Sequence, residues 1–373
     1  MKGANAGRKA VAIQFFTNAF FTMTKTYALG LVFGAALAVA GCRKENTVFP
    51  DGSTDHAAAG ARDAVIVPAG SIDQLALALQ SGSTVILAPG LHTETGTVLV
   101  EGYHTIIGQP GAVLRLSSTP LIDYETPISV GLHFKNAGNS SIRGVAIESS
   151  NPIGGTAILI ENSQKVAVQR CEISDFQFGI LVEKSPLASI FQNRIAISTA
   201  WQTGELPEAH GIVVINGEGA VVERNEVSGA LFGIWACDKN GSLRRNYTHD
   251  NYLGIILCKV PYGNFILPGG DVIGAQFSCT KWNVRNNASD HNLNVGYLVI
   301  DGANNNRVEQ NEASENGAYD YELTGDSYRF GFLTPFCFDN TLRVDEGDTV
   351  KDCGQNNTVI GGTTIDTAID PCN

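Results

Sequence analysis

The sequence predicts an all-β solenoid of stacked coils, and three observations carry that expectation. First, 41 of the 373 residues are Gly and only 17% are charged, too much glycine for a helical bundle and too little charge for a disordered acidic chain. Second, a short apolar motif recurs at a nearly constant interval. Third, no ten-residue helical period separates the strand-like segments, so no βαβ unit is built.

The motif is an apolar residue, then Asn or a small residue three positions on, then an apolar or small residue two further. It appears as Ile142/Val145/Ile147, Val168/Cys171/Ile173, Ile190/Asn193/Ile195, Val222/Asn225/Val227, Leu243/Asn246/Thr248, Val284/Asn287/Ser289 and Val308/Asn311/Ala313. Successive centres are 26, 22, 32, 21, 41 and 24 residues apart. The 32 reads as a coil with an insertion and the 41 as a double step. A Gly-apolar pair precedes the Asn position in most units: Gly131-Leu132, Gly179-Ile180, Gly211-Ile212, Gly233-Ile234 and Gly296-Tyr297, with Gly254-Ile255 opening one further irregular coil. Turn formers lie between them. Such a unit cannot bury its own apolar side, but stacked turns of chain bury a continuous cylinder. At about 4.8 Å per parallel strand, roughly ten coils make a rod on the order of 50 Å long. Asn193, Asn225, Asn246, Asn287 and Asn311 then pile into a ladder whose amides bond along the column.

The leader is read separately. Residues 1–41 hold Lys2, Arg8, Lys9 and Lys25 and no acid, and an apolar run of 15 residues, Tyr27 to Gly41, ends in Val39-Ala40-Gly41-Cys42. That run is short for a membrane span. The segment resembles a bacterial lipoprotein signal peptide with its lipobox, which implies lipidation at Cys42, a membrane partner through that anchor and a cell-envelope location. Residues 42–63, rich in Ala, Gly, Asp and Thr, read as a flexible tether, 64–362 as the solenoid and 363–373 as a tail.

Without the leader, 21 cations face 37 acids, a net −16, which argues against nucleic acid as a partner. Acidic polysaccharides are repelled too unless a local basic patch intervenes. A monomer is expected. Seven cysteines remain after Cys42. Export permits disulfides. Cys237, Cys258 and Cys279, spaced by 21, suggest one column in which a pair bridges or all stay thiols. Cys337, Cys353 and Cys372 are placed to tie the C-terminal segment, and Cys171 reads as a core thiol. No zinc spacing occurs, and neither metal nor cofactor is expected.

The start of the rod reads as a capped short helix, Ser71-Ile72-Asp73-Gln74 with Leu75, Leu77 and Leu79, stopped at Gly82. The strands Thr84 to Leu87 and Thr105 to Gly108 follow, and the helix shields the open end from edge pairing. Together with the Gly-Ile and Asn repeats, this segment resembles the right-handed parallel β-helix superfamily, pectate-lyase-like in fold, over roughly 64–362. That resemblance implies right-handedness and admits lyases, epimerases, hydrolases and non-enzymes.

Sites are read from alternation. Inward Ile180, Ile212, Ile234 and Ile255 leave Leu181, Val213, Trp235, Ile256 and Leu298 pointing outward. Pectate lyases carry calcium-binding acids and an Arg on this outer sheet, so the aliphatic stripe disfavours that activity; polygalacturonase motifs are absent too. An exposed stripe needs either a cover, from residues 328–336 or 259–273, or a carbohydrate stacking at Trp235. His249-Asp250 and Asp290-His291 occupy equivalent positions in two coils. They are candidates for proton transfer if the coils touch, and otherwise a solvated polar turn. The favoured double step separates them. His210 follows the insertion 199–208, which carries Trp201 and Glu208; Pro207-Glu208-Ala209-His210 distantly resembles an alginate-epimerase motif. The candidate catalytic residues are thus His210, His249, Asp290 and His291, and the candidate sugar-binding residues Trp201 and Trp235. The expected function is an exported, lipid-anchored β-helix that binds or processes a polysaccharide by a lyase, epimerase or hydrolase reaction. The alternative is a non-catalytic envelope scaffold similar to copper-associated periplasmic β-helix proteins, although two Met and no His/Met cluster speak against copper.

Overall fold

The computed structural model describes residues 64–372, apart from 124, 259–265, 272–278, 326 and 330–331, and apart from the side chains of 327–329 and 332–334. The expected signal peptide, tether and Cys42 lie outside the described residues. From 64 onward the chain winds as stacked coils of one compact unit, each coil contributing strands to three faces.

The first face stacks twelve parallel strands, from Ala64–Val67 to Thr358–Ile360, against the roughly ten coils expected. Its inward column, Ile142, Val168, Ile190, Val222, Leu243, Val284, Val308 and Leu342, is in register from coil to coil and buried. The second and third faces join into one set because Glu172–Glu183 runs through the corner between them. The third face stacks Leu132, Ile158, Ile180, Ile212, Ile234, Ile255 and Tyr297 inward. Burying each such aliphatic contributes roughly 1.5–3 kcal/mol, which a lone coil could not collect.

The Gly of each Gly-Ile pair has a geometric cause. A Cβ on Gly179, Gly211, Gly233 or Gly254 would lie 2.5 to 2.6 Å from the carbonyl oxygen of the glycine one coil on, closer than carbon and oxygen can approach. The strands pack so tightly there that only hydrogen fits.

The corners are held by side-chain ladders. At the first corner Asn193, Asn225, Asn246, Asn287 and Asn311 each accept, through Oδ1, from the backbone N–H of the residue one coil back, at 2.9–3.0 Å. Each of Asn193, Asn225, Asn246 and Asn287 also donates Nδ2–H to the next Oδ1, and every Nδ2 donates to a strand carbonyl, such as Asn225 to Ile190 O. Two further ladders, not foreseen, run through Asn251, Asn292 and Asn316 at the second corner and through Asn306, Asn340 and Asn357 at the third.

The 41-residue interval is corrected by these bonds. Asn246 bonds directly to Asn287, and Tyr247–His249 pairs with Ala288–Asp290. It is one coil carrying a loop, not two coils. The spacing of 21 between Cys258 and Cys279 is that loop: Thr280 pairs with Lys239, placing Cys279 at the level of Asp238. Cys237, Cys279 and Cys337 are buried free thiols and Cys258 is buried against Trp235 and Asp301, while Cys353 and Cys372 form a disulfide that ties the tail to the coils. Cys171 occupies a first-corner ladder position, where its N–H donates to Asn193, and burial pushes its thiol up to about 11.

Helix α1, Gln74–Ser81, closes the N-terminal end over Leu75, Ala78 and Leu79; Leu77 faces solvent. Asp73 adopts φ 53° and does not cap it. Its carboxylate instead accepts from Thr95 of the next coil, and the buried carboxylate of Glu94 takes the Leu75 N–H at 2.8 Å. The anion at the positive end of the helix thus comes from a neighbouring strand.

Candidate functional site

The outer side of the third face is sealed. Leu159, Leu181, Val213, Trp235, Ile256 and Leu298 line up outward as alternation requires, and Leu121, Ile128 and Leu267 from two excursions pack on them. Those excursions pair with each other, Ile128 N–H donating to Ile266 O at 2.8 Å. Trp235 is 5% exposed, its indole N–H on Cys258 Sγ. The expected choice between cover and sugar platform therefore falls to a cover, in part Ile266 and Leu267 of the foreseen 259–273 segment and in part Leu121 and Ile128, which were not foreseen.

The other aromatic candidate is buried as well. Trp201, in the short 3-10 turn Thr199–Thr203, donates its indole N–H to Gly229 O and meets Tyr252 edge-on. His210 is fully enclosed, stacked on Phe232 and flanked by Phe178 and Trp235, with Nε2 at 2.9 Å from Glu208. Gln177 pins this corner by donating to the carbonyls of Glu208 and Leu121. In this structure none of Trp235, Trp201 and His210 meets solvent where a polymer could reach it.

The remaining candidates do come together, on the outer side of the second face. Strands Tyr247–His249 and Ala288–Asp290 lie side by side, with His249 opposite Asp290. Tyr247 and His249 alternate outward and their rings stack, centroids 4.4 Å apart. The Tyr247 hydroxyl donates to Asp290 across the coil boundary at 3.0 Å. His249 Nδ1 lies 2.7 Å from Asp250, and its Nε2 lies 3.6 Å from Glu226, which Arg194 holds at 3.3 Å. His291, in the corner with φ 52°, bridges Asp290 and Glu315.

Electrostatics assign roles within this set. Partial burial, followed by the Asp290 bond and nearby acids, holds the Tyr247 phenol well above its ordinary value, so it keeps its proton at neutral pH. The bond to Asp290 is the largest cause raising His291, which favours its imidazolium. A stacked pair of exposed Tyr247 and half-buried His249, flanked by carboxylates, the His291 imidazole and a guanidinium, supplies a stacking surface for a sugar and groups for proton transfer.

A second cluster escaped the sequence reading. Glu161 and Glu183 stand opposite each other on adjacent coils of the third face, at the edge of the cover, both buried. His133 Nε2 contacts Glu161 at 2.8 Å, Lys135 lies 4.0 Å from it, and Lys184 lies 3.6 Å from Glu183 and 4.0 Å from Asp271 of the covering loop. Burial pushes Glu183 up to about 7 and His133 down. The sequence held a signal for this cluster: Ile158-Leu159-Ile160-Glu161-Asn162-Ser163 is repeated 22 residues later as Ile180-Leu181-Val182-Glu183-Lys184-Ser185.

These features define a right-handed parallel β-helix protein. The chain resembles, over 79% of its length and 91% of theirs, the A-module of the mannuronan C-5 epimerase AlgE4 of Azotobacter vinelandii, at 13% identity and a TM-score of 0.51. The surface protein and adhesin PfbA of Streptococcus pneumoniae resembles it at 12% identity and a TM-score of 0.51, over 78% of this chain and 91% of that one. Likeness at this identity shows the fold. Residues 83–267 match the family model described as periplasmic copper-binding protein (NosD). No curated protein sequence matches the chain significantly.

The copper in that description finds no fitting donor set here. Among the described residues no group of three or more His, Cys, Asp or Glu is placed to hold a metal. Met1 and Met23 lie outside the described residues. Burial raises the Cys237, Cys258 and Cys279 thiols above their ordinary value.

Proposed function

We propose that this protein handles a polysaccharide in the cell envelope, and that the polymer is met on the outer second face by Tyr247, His249 and Asp290. The observation that carries this reading is the stack of exposed Tyr247 on half-buried His249, with Tyr247 bonded to Asp290 of the next coil. A histidine flanked by carboxylates is the kind of group a lyase, epimerase or hydrolase step uses to move a proton, and the Tyr247 ring beside it offers a surface for a sugar. The similarity to a mannuronan epimerase and a surface adhesin, and the periplasmic description of the matching family, support a glycan partner outside the cytoplasm. Lipidation at Cys42 with 42–63 as a tether would hold the rod at a membrane. The sealed third face favours a second reading, in which the rod binds the glycan without turning it over.

The test is a screen of the purified chain against uronate and neutral polysaccharides, by affinity electrophoresis and by ultraviolet detection of unsaturated products. A polysaccharide should be retained, and His249→Ala and Asp290→Asn should each weaken retention about tenfold, some 1.4 kcal/mol. If unsaturated product forms, the same variants should slow it by about 10²-fold or more. Variants that bind and react like the parent chain would remove the second face from the function.

A further inference from the structure

Positive charge is concentrated along one edge of this acidic chain. At the first corner, the residue preceding each ladder position takes a left-handed conformation, with φ 52° at Arg170, 57° at Arg224 and 55° at Arg245. Glycine or asparagine would adopt it at less cost, as Gly144 and Asn286 do in other coils. Arg244 and Arg285 stand in register beside this column on the outer first face, and Arg194 opens the second face one rung along. Six arginines therefore span five successive coils, roughly 20 Å at the strand spacing. The acids interleaved with them are Glu172, Glu223 and Glu226. Glu223 is shared by Arg224, Arg244 and Arg245 at 3.0–3.8 Å, and Glu226 by Arg194. Six arginines thus stand among three interleaved acids, with Glu309 opposite Arg285 on the next rung, on a chain whose net charge is −12.

We infer that this corner binds an acidic polysaccharide lying along the rod axis, one carboxylate-bearing sugar to about one coil. The inference rests on the reading of the protein as polysaccharide-handling and names the class of polymer. Guanidinium forks match carboxylates in a way ammonium groups do not, and all six cations here are arginines. A 1,4-linked uronan advances along its axis by nearly one strand spacing per sugar. Duplex nucleic acid, with a phosphate about every 3.4 Å along each strand, does not share that repeat. The strip also adjoins the second face, because Arg194 reaches Glu226, which in turn faces His249. A chain on the arginines would thus lie beside Tyr247 and His249, and the local charge would overcome the repulsion expected from the acidic whole.

The experiment measures affinity of the folded chain for polygalacturonate and alginate oligomers, with neutral dextran, dextran sulfate and single-stranded DNA as comparisons. Arg170 and Arg245 are exposed and Arg224 and Arg244 half-buried, so they can be changed without opening the core: Arg244→Gln/Arg245→Gln in one variant, with Arg170→Gln/Arg224→Gln added in a second. Uronate oligomers should bind, weaken steeply with salt, and lose about tenfold in the double variant and about a hundredfold in the quadruple. Uronate affinity unchanged in both variants, or dextran sulfate or DNA binding as tightly as uronate, would overturn the inference. If neutral dextran is bound as tightly as uronate, with loss only in His249→Ala, the arginine assignment fails while the second-face reading survives. If no glycan binds, both fail.

Discussion

Asn225→Ala should destabilise the rod by about 3–5 kcal/mol. The side chain bonds groups on Asn193, Ile190, Glu223 and Asn246. Its Oδ1 accepts from the N–H and the Nδ2–H of Asn193, and its Nδ2 donates to Ile190 O. Asn225 and Asn193 are both buried, so alanine leaves an amide N–H and a carbonyl without partners or water. Each buried group stranded in this way costs about 1–3 kcal/mol. Urea unfolding checks the value, with Asn283→Ala, an exposed residue at the start of a first-face strand, expected within about 0.5 kcal/mol of the parent. Equal effects from the two substitutions would mean that the column is ornament, not structure.

Glu183→Gln should do the opposite above neutrality. The Glu183 carboxyl has its pKa raised to about 7, first because burial disfavours the anion, with Glu161 and Asp271 adding repulsion and Lys184 opposing. A carboxyl whose folded value exceeds its unfolded value, about 4.3, binds more protons in the native state. Stability is therefore highest below about pH 4.3 as far as this group is concerned, falls as pH rises toward 7, and is flat beyond. The shift corresponds to about 3 kcal/mol. Glutamine keeps the shape without the ionisation, so the variant should be about 2–3 kcal/mol more stable than the parent at pH 8 and nearly equal to it at pH 4.5. Urea unfolding at the two pH values decides, and a variant that keeps the parent's pH dependence would show that Glu183 does not ionise as described.

The coil was legible because its repeat is enforced residue by residue. A glycine is required wherever a neighbouring carbonyl sits 2.5 Å from its missing Cβ, and an asparagine wherever a corner amide needs an acceptor. Such positions survive in a single sequence as regular spacings. The path between them is not enforced. A loop leaving the coil after Cys258 and rejoining at Cys279 spans 21 residues, the length of a coil, so periodicity alone mistook a loop for a turn of the rod and set His249 and Asp290 too far apart. Outward residues were harder still. Alternation placed Trp235 and Leu181 outward correctly, but what packs on an outward stripe depends on Leu121, Ile128 and Leu267, which no period links to it. Glu161 and Glu183 were hidden by position at the end of hydrophobic strands, where a carboxylate reads as a solvated turn. The arginines were hidden by the chain's net acidity, which sums over all faces.

The most direct test of the second face as the working surface is the histidine ring spectrum by proton NMR during titration with a uronate oligosaccharide. His249 and His291 stand on that surface, while His210 is sealed beneath the third-face cover and His133 is buried at its edge. Ligand should shift the ring signals of His249 and His291 and leave those of His133 and His210 in place. Movement of His210 or His133 with His249 unmoved would contradict this, and would mean that the cover opens and the third face receives the polymer.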